Sequence, residues 1–468
     1  MHKAFYKTLI GGAVALLASH SAWALLPIEH WTQDSGAQVW LVNSPTIPMV
    51  DVQINFDAGS RRDPAAQAGL ASAAAMMVAK GVKADGAQPA LDENAVGEAW
   101  ADLGATFEAA ASNDALSFSL RSLTDTSLLG KAADMAARQM AQPSYDETVW
   151  QRERERWNAS IKEGNTRPPV VAARAFGKAV FGSHPYGQRA TEATLTQIDP
   201  TAMRQYLARS VDACRAKVTL VGALDKAQAD ALVKRLLAKM PATPRAQCAP
   251  PPVVPAVQPL AKAEEIQIAF DSAQAQVLIG QPGIRRADPD FLAVMLGNQI
   301  LGGGGFASRL MEEVREKRGL VYGVYSTFNP GLDAGAFQIG LQTRPDQAAQ
   351  ALKVTREVLA TYIAEGPTDK ELRDAKDNLI GGFALRVDSN AKLLGNVTNI
   401  AWNGLPLDYL DHWTDRVEAL SKDDVRKAMA RMVQPDKEVT VVLGAKAGTK
   451  TEAKAEAAAA GVQPGAKQ

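Results

Sequence analysis

The sequence predicts an α+β fold of two homologous halves, each an antiparallel-rich β-sheet with helices on one face. Three observations predict it. Val50, Val52, Ile54 and Phe56 alternate, as do Ile266, Ile268 and Phe270, which is the period of a strand with one buried side. Helical signals fall between such strands without strict strand–helix alternation, which argues against a parallel α/β sheet. Finally, segments 198–223 and 420–445 match at an offset of 222 without a gap, with Arg204/Arg426, Ala208/Ala430, Arg209/Arg431, Val211/Val433 and Gly222/Gly444 coinciding. Each copy reads as a capped helix, a turn and an apolar strand ending in glycine. A period this long implies duplicated domains rather than a solenoid, whose units run to about 20–50 residues.

Residues 1–24 read as a secretory leader: His2, Lys3 and Lys7 give a basic start, Leu9 to Ala18 an apolar run, and Ala22-Trp23-Ala24 a small-residue cleavage site. The apolar run is too short to span a bilayer, which takes about 20 residues, and no later stretch reaches that length. The expectation is export to a bacterial periplasm, cleavage after Ala24 and a mature chain of 444 residues with no membrane span. In the first half (25–240), Ser144-Tyr145-Asp146-Glu147 reads as a capping box opening a helix with Trp150, Trp157 and Ile161 on one face. Pro241, Pro244, Pro250, Pro251, Pro252, Pro255 and Pro259 mark 241–262 as an extended linker, followed by the second half at 263–445. The Ala/Lys/Glu/Gly-rich tail, 446–468, reads as disordered.

Lys plus Arg and Asp plus Glu each number 51, so the formal net charge is zero. That argues against nucleic acid, which needs a basic surplus. Hydrophobic residues at 46% exclude wholesale disorder. Cys214 and Cys248, 34 residues apart, fit either an exported disulfide or two free or buried thiols.

The segment from Phe56 to Val82 reads as a strand ending in Asp57-Ala58-Gly59-Ser60, a loop, and a helix starting near Gly69. It resembles the insulinase/pitrilysin family of zinc peptidases, particularly the two-domain members related to the mitochondrial processing peptidase. His30 to Val42 resembles the family's opening strand. His184-Pro185-Tyr186-Gly187, the stretch Gly302 to Tyr325, and Leu405 to Leu410 match further family motifs, so the resemblance covers about 28–445. It implies that the halves close as a clam-shell. The family's chemistry rests on H-x-x-E-H, two zinc-binding His on one helix face and a Glu acting as base, plus a Glu ligand from a later helix.

Here Ser72, Ala75 and Met76 stand at those three positions, and Lys162 stands where the later Glu would be, with Glu153, Glu155 and Glu163 nearby. The mature chain has only His30, His184 and His412. No metal site is assigned, and the small apolar helix from Leu70 to Ala79 is expected to pack the core. The family's Arg and Tyr, seven residues apart in the second half, match Arg315 and Tyr322. The resemblance implies that they donate hydrogen bonds to the substrate carbonyl and its developing oxyanion. Gly302, Gly303, Gly304 and Gly305 lack the Lys-Ser/Thr of a phosphate loop. They read as a strand-to-helix turn, with substrate contact as the family's alternative.

The resemblance therefore implies the second subunit of a divided peptidase. This chain would bind no cofactor, Zn²⁺ would sit in a homologous partner subunit, and the substrates would be unfolded peptides small enough for the chamber. The alternative is an inactive homologue that binds peptides or serves as a scaffold.

Overall fold

The computed structural model describes residues 27–444, so the expected leader and the tail lie outside the described residues. The strands are β1 (Ile28–Thr32), β2 (Gln38–Asn43), β3 (Met49–Phe56), β4 (Gly81–Val82), β5 (Leu91–Asp92), β6 (Thr106–Ala111), β7 (Leu116–Leu123) and β8 (Lys217–Gly222) in the first half. The second half has β9 (Glu264–Ile268), β10 (Ala275–Pro282), β11 (Gly323–Phe328), β12 (Ala336–Thr343) and β13 (Val439–Leu443). The first sheet runs β1-β2-β8-β3-β7-β6 and the second β11-β12-β10-β13-β9. One neighbouring pair in each is parallel, β2 with β8 and β9 with β13; the other pairs are antiparallel. The order β2-β8-β3-β7-β6 has the same plan as β9-β13-β10-β12-β11, with β1 added to the first sheet.

The internal repeat is exact in backbone terms. Asp199 caps the helix Pro200–Ser210 by accepting the Ala202 N–H, and Ser421 caps Lys422–Met432 by accepting that of Asp424. Val211 and Val433 end these helices in extended conformation. Single 3₁₀ turns follow at Ala213–Arg215 and Pro435–Lys437, and then β8 and β13. Each of these positions keeps the offset of 222. Gly222, at φ 157°, has no room for a side chain, because a Cβ would run into the Met49 carbonyl.

Each sheet is covered on both faces, and the second cover comes from the other half. Helix Pro168–Phe181, part of the first half in sequence, lays Ala172, Phe176 and Val180 against Val439, Val441 and Leu443 of the second sheet. Gly280 on β10 makes room for it: a Cβ there would sit 2.9 Å from the Phe176 ring. In return, helix Asn390–Asn403 lies over β8 and β3. Lys217 Nζ donates to the Ala401 and Trp402 carbonyls at 2.9 and 3.2 Å, and Thr219 meets Thr398 hydroxyl to hydroxyl at 2.7 Å. A cation at the last carbonyls of a helix is favourable against the helix dipole.

The linker is tied to both halves. Cys248 is disulfide-bonded to Cys214, their Cα atoms 6.1 Å apart. The Pro252 carbonyl accepts from Arg62 at 2.7 Å, and the Val257 N–H donates to Asp333 at 3.0 Å.

Two local readings are corrected. The helix Glu147–Gly164 is capped by Asp146, whose carboxylate accepts the Val149 N–H at 2.9 Å, and not by Ser144. Ser144 is still engaged with the Gly81 carbonyl beside β4, and Tyr145 turns the chain through φ 44° before the helix can begin. The strand alternation at Phe270 also overran, since β9 ends at Ile268.

Candidate functional site

The helix at the family's metal position is Leu70–Val78. Gly69, at φ 106°, makes the entry turn, and the Asp63 carboxylate accepts the N–H groups of Gly69 and Ala71 at 2.9 and 3.0 Å. Burial pushes the Asp63 carboxyl up to about 6 despite those donors. Leu70, Ala71, Ala73, Ala74, Ala75, Met77 and Val78 are buried, so the helix serves core packing. Of the three degenerate positions, Ala75 is in the core, Met76 packs half-buried against it, and Ser72 alone lines a cavity of about 600 Å³.

The helix Glu147–Gly164 supplies Trp157, Ser160, Ile161 and Gly164 to that cavity. Lys162 does not reach it: its side chain is 66% exposed and pairs with Glu192 at 3.2 Å. Glu153 is buried. Burial works against its charge, but Arg152, Lys80 and Arg156 around it hold its carboxyl below the usual range. Glu155 and Glu163 are exposed. Among the described residues, no three His, Cys, Asp or Glu side chains form a metal-holding group. His30 stacks on Trp40 with ring centroids 4.5 Å apart, and His412 is exposed beside Asp408.

His184 opens a polar tie between the halves. Its Nδ1 accepts the Tyr186 N–H at 3.1 Å. The Tyr186 hydroxyl donates to Asp114 at 2.6 Å and accepts the Asp333 N–H at 3.1 Å. Asp114 also accepts the Leu332 N–H at 2.9 Å and lies 3.2 Å from Arg61. The second half's β11–β12 hairpin is thus bonded to the first half through buried groups. A second cavity, about 930 Å³, opens beside this tie and is lined by amide side chains including Gln53, Asn55, Gln338, Asn399 and Asn403.

The glycine run joins two helices and not, as the sequence reading had it, a strand to a helix. Helix Phe291–Asn298 runs on as a π-helix, Gln299–Gly303; a 3₁₀ turn, Gly305–Ala307, follows; a second π-helical segment spans Met311–Glu316. π-Helical turns are rare and frequent at functional sites. Gly302 is required by close approach, because a Cβ would sit 2.5 Å from the Ser326 N on β11.

Arg315 lies on the second π segment, which Gly319 (φ 60°) closes by donating its N–H to the Arg315 carbonyl at 2.8 Å. Tyr322 immediately precedes β11, an edge strand. The guanidinium carbon of Arg315 lies 4.6 Å from the Phe306 ring centroid and 5.6 Å from that of Tyr322, and its Nη1 is 3.2 Å from Glu316. The structure therefore brings Arg315 and Tyr322 together and adds Phe306, which sequence reasoning missed. The available signal was its place directly after the glycine run. Phe306, Tyr322 and the neighbouring Tyr325 are 70%, 85% and 50% exposed. Neither Arg315 nor Tyr322 lines either large cavity.

The molecule thus has two intergrown α+β halves, a largely buried first-half helix with no His, Asp or Glu, and an Arg315/Tyr322 pair at the surface of the second half. The model for insulinase (peptidase family M16) matches residues 38–193, and that for the peptidase M16 inactive domain matches 197–379. A solved peptidase M16 inactive domain from Pseudomonas fluorescens is 34% identical; the match covers 90% of this chain and 99% of that one, with a TM-score of 0.83. This chain belongs to the M16 insulinase family. It is also 25% identical to the uncharacterized zinc protease YmxG of Bacillus subtilis, over 80% of this chain and 88% of that protein. It is 24% identical to the non-peptidase homolog YmxG of Helicobacter pylori, over 60% and 65% respectively.

Proposed function

We propose that this chain is the non-metal subunit of a two-chain zinc peptidase that degrades unfolded peptides in the periplasm. The observation that carries the reading is the rim. Arg315 is held between two exposed rings, and among the described residues its ion pair with Glu316 does not require Tyr322 or Phe306 to face water. Large exposed aromatic groups mark interaction surfaces. Turned toward a partner's site, the guanidinium and the phenol donate hydrogen bonds to a peptide carbonyl. Both donors are already in place before charge develops on the oxygen, which is what favours a transition state over its ground state. The partner's zinc would supply the activated water. The expected leader and the Cys214–Cys248 bond fit an exported chain.

The test is to combine the mature chain with an H-x-x-E-H-bearing homologue from the same organism and zinc. Activity is expected only in the mixture, and Arg315→Ala is expected to remove it. The second reading, an inactive peptide-binding or scaffold homologue, draws on the Helicobacter relative's name and predicts a stable complex indifferent to Arg315→Ala and Tyr322→Phe.

A further inference from the structure

We propose that the cavity beside Ser72 is an anion site that takes a carboxylate carried by a peptide. The proposal concerns this chain alone and does not depend on a partner subunit. Three guanidinium groups line the cavity: half-buried Arg174, and Arg167 and Arg189 at its mouth. The one carboxylate in the wall is that of Asp63, and its two oxygens are taken by the Gly69 and Ala71 N–H groups. Two other arginines near the interior are each gripped by a carboxylate, Arg62 by Asp57 at 2.7 Å and Arg309 by Glu371 at 2.6 Å. None of the three cavity arginines is held so closely. Arg167 has only Glu163, at 4.0 Å; Arg174 donates to the neutral side chain of Asn165; Arg189 meets no carboxylate among the described residues.

The neutral groups have the same bias. Ser72 and Ser160 offer hydroxyls that bond to no other described residue. The buried Oε1 of Gln188 has no partner, and a half-turn of that carboxamide presents its NH₂ instead. Three cations repel Zn²⁺ and attract an anion. Charge-assisted hydrogen bonds from guanidinium to carboxylate are the strong ones.

The position indicates how the anion arrives. β6 is an edge strand, and its last residue, Ala111, with Ser112 and Asn113, forms part of the cavity wall. An extended peptide paired to the free edge of β6 runs along the strand to the cavity, with Trp157, Ile161 and Val170 as apolar walls. The carboxylate is either the peptide's C-terminus or an acidic side chain.

The experiment is calorimetric titration of the mature chain, at low and at moderate salt, with three alanine-rich hexapeptides. One has a free C-terminal carboxylate, one is its amide, and one is the amide with a single glutamate. At least one charged peptide is expected to bind tenfold or more tightly than the neutral amide. That preference should shrink with salt and vanish in Arg174→Gln/Arg189→Gln. Preference for the free acid assigns the C-terminus; preference for the glutamate amide assigns a side chain. Ser72→Asp, which adds a negative charge without touching the arginines, should abolish the preference as well. Equal binding of charged and neutral peptides, no binding of any, or a preference that survives both variants in chains that melt as the parent does would overturn the proposal.

Discussion

The cavity beside the Leu70–Val78 helix and the rim at Arg315 invite comparison, because the proposed function would have both kinds of position serve one reaction. At the first, packing explains most of what is present: Ala75 is in the core, Met76 lies against it, and Lys162 has turned out to Glu192. At the second, packing explains little. Phe306 and Tyr322 are mostly exposed around a guanidinium, a costly arrangement that adds nothing to the core. The difference teaches that the absence of metal-ligating side chains from one helix does not decide what the side chains of a distant rim do. The two regions sit on separate sheets and are fixed by separate local structure.

Several changes would break or sharpen this comparison. The largest effect is expected at the rim. In the mixed complex, Arg315→Ala should lower kcat by about 100-fold or more and Tyr322→Phe by about tenfold, as measured by steady-state cleavage of a quenched peptide. The melting temperature of the chain should hardly change. Next is the linker: Cys214→Ser/Cys248→Ser opens a loop of 34 residues and should cost roughly 3 kcal/mol in denaturant unfolding. Such a loss at unchanged rim affinity for the partner would show that the rim is a local structure.

A loss that depends on pH is expected at Glu438. Burial pushes the Glu438 carboxyl up to about 8, against the opposing charge of Arg356, and its Oε1 has no partner. Its folded pKa therefore exceeds its unfolded one, so the stabilisation is full in acid and is lost as pH rises toward 8. Glu438→Gln should melt higher than the parent at pH 8, and the two should converge near pH 5. The smallest effect is expected across the halves. Lys217→Met removes the donor to Ala401 and Trp402 and should cost about 1–2 kcal/mol. Unfolding of the two halves in separate steps in that variant would indicate that the exchanged helices hold them together.

Much of this was legible in the sequence, for physical reasons. The repeat could be read because caps, glycines and apolar strands sit at fixed offsets: Asp199 and Ser421 cap equivalent helices, and Gly222 and Gly444 both take positive φ at the ends of equivalent strands. The absence of H-x-x-E-H was plain from composition. The exchanged helices were not legible, because Phe176 and Thr398 choose their sheet through tertiary packing. A hint existed in the mostly apolar, β-branched runs of β8 and β13, broken only by Lys217, Thr219 and Thr440, which approach the pattern of strands buried on both faces. The Ser144 cap failed because a bond to Gly81 competes for that residue. The arginines of the cavity come from a helix, its N-cap and a loop after it, positions that no spacing rule links.

The most direct measurement is peptidase activity of the mature chain, alone and mixed with an H-x-x-E-H-bearing homologue, each with zinc. The account predicts silence alone and, in the mixture, activity that Arg315→Ala removes. Zinc-dependent cleavage by the chain alone, or an active mixture indifferent to Arg315→Ala, would contradict it.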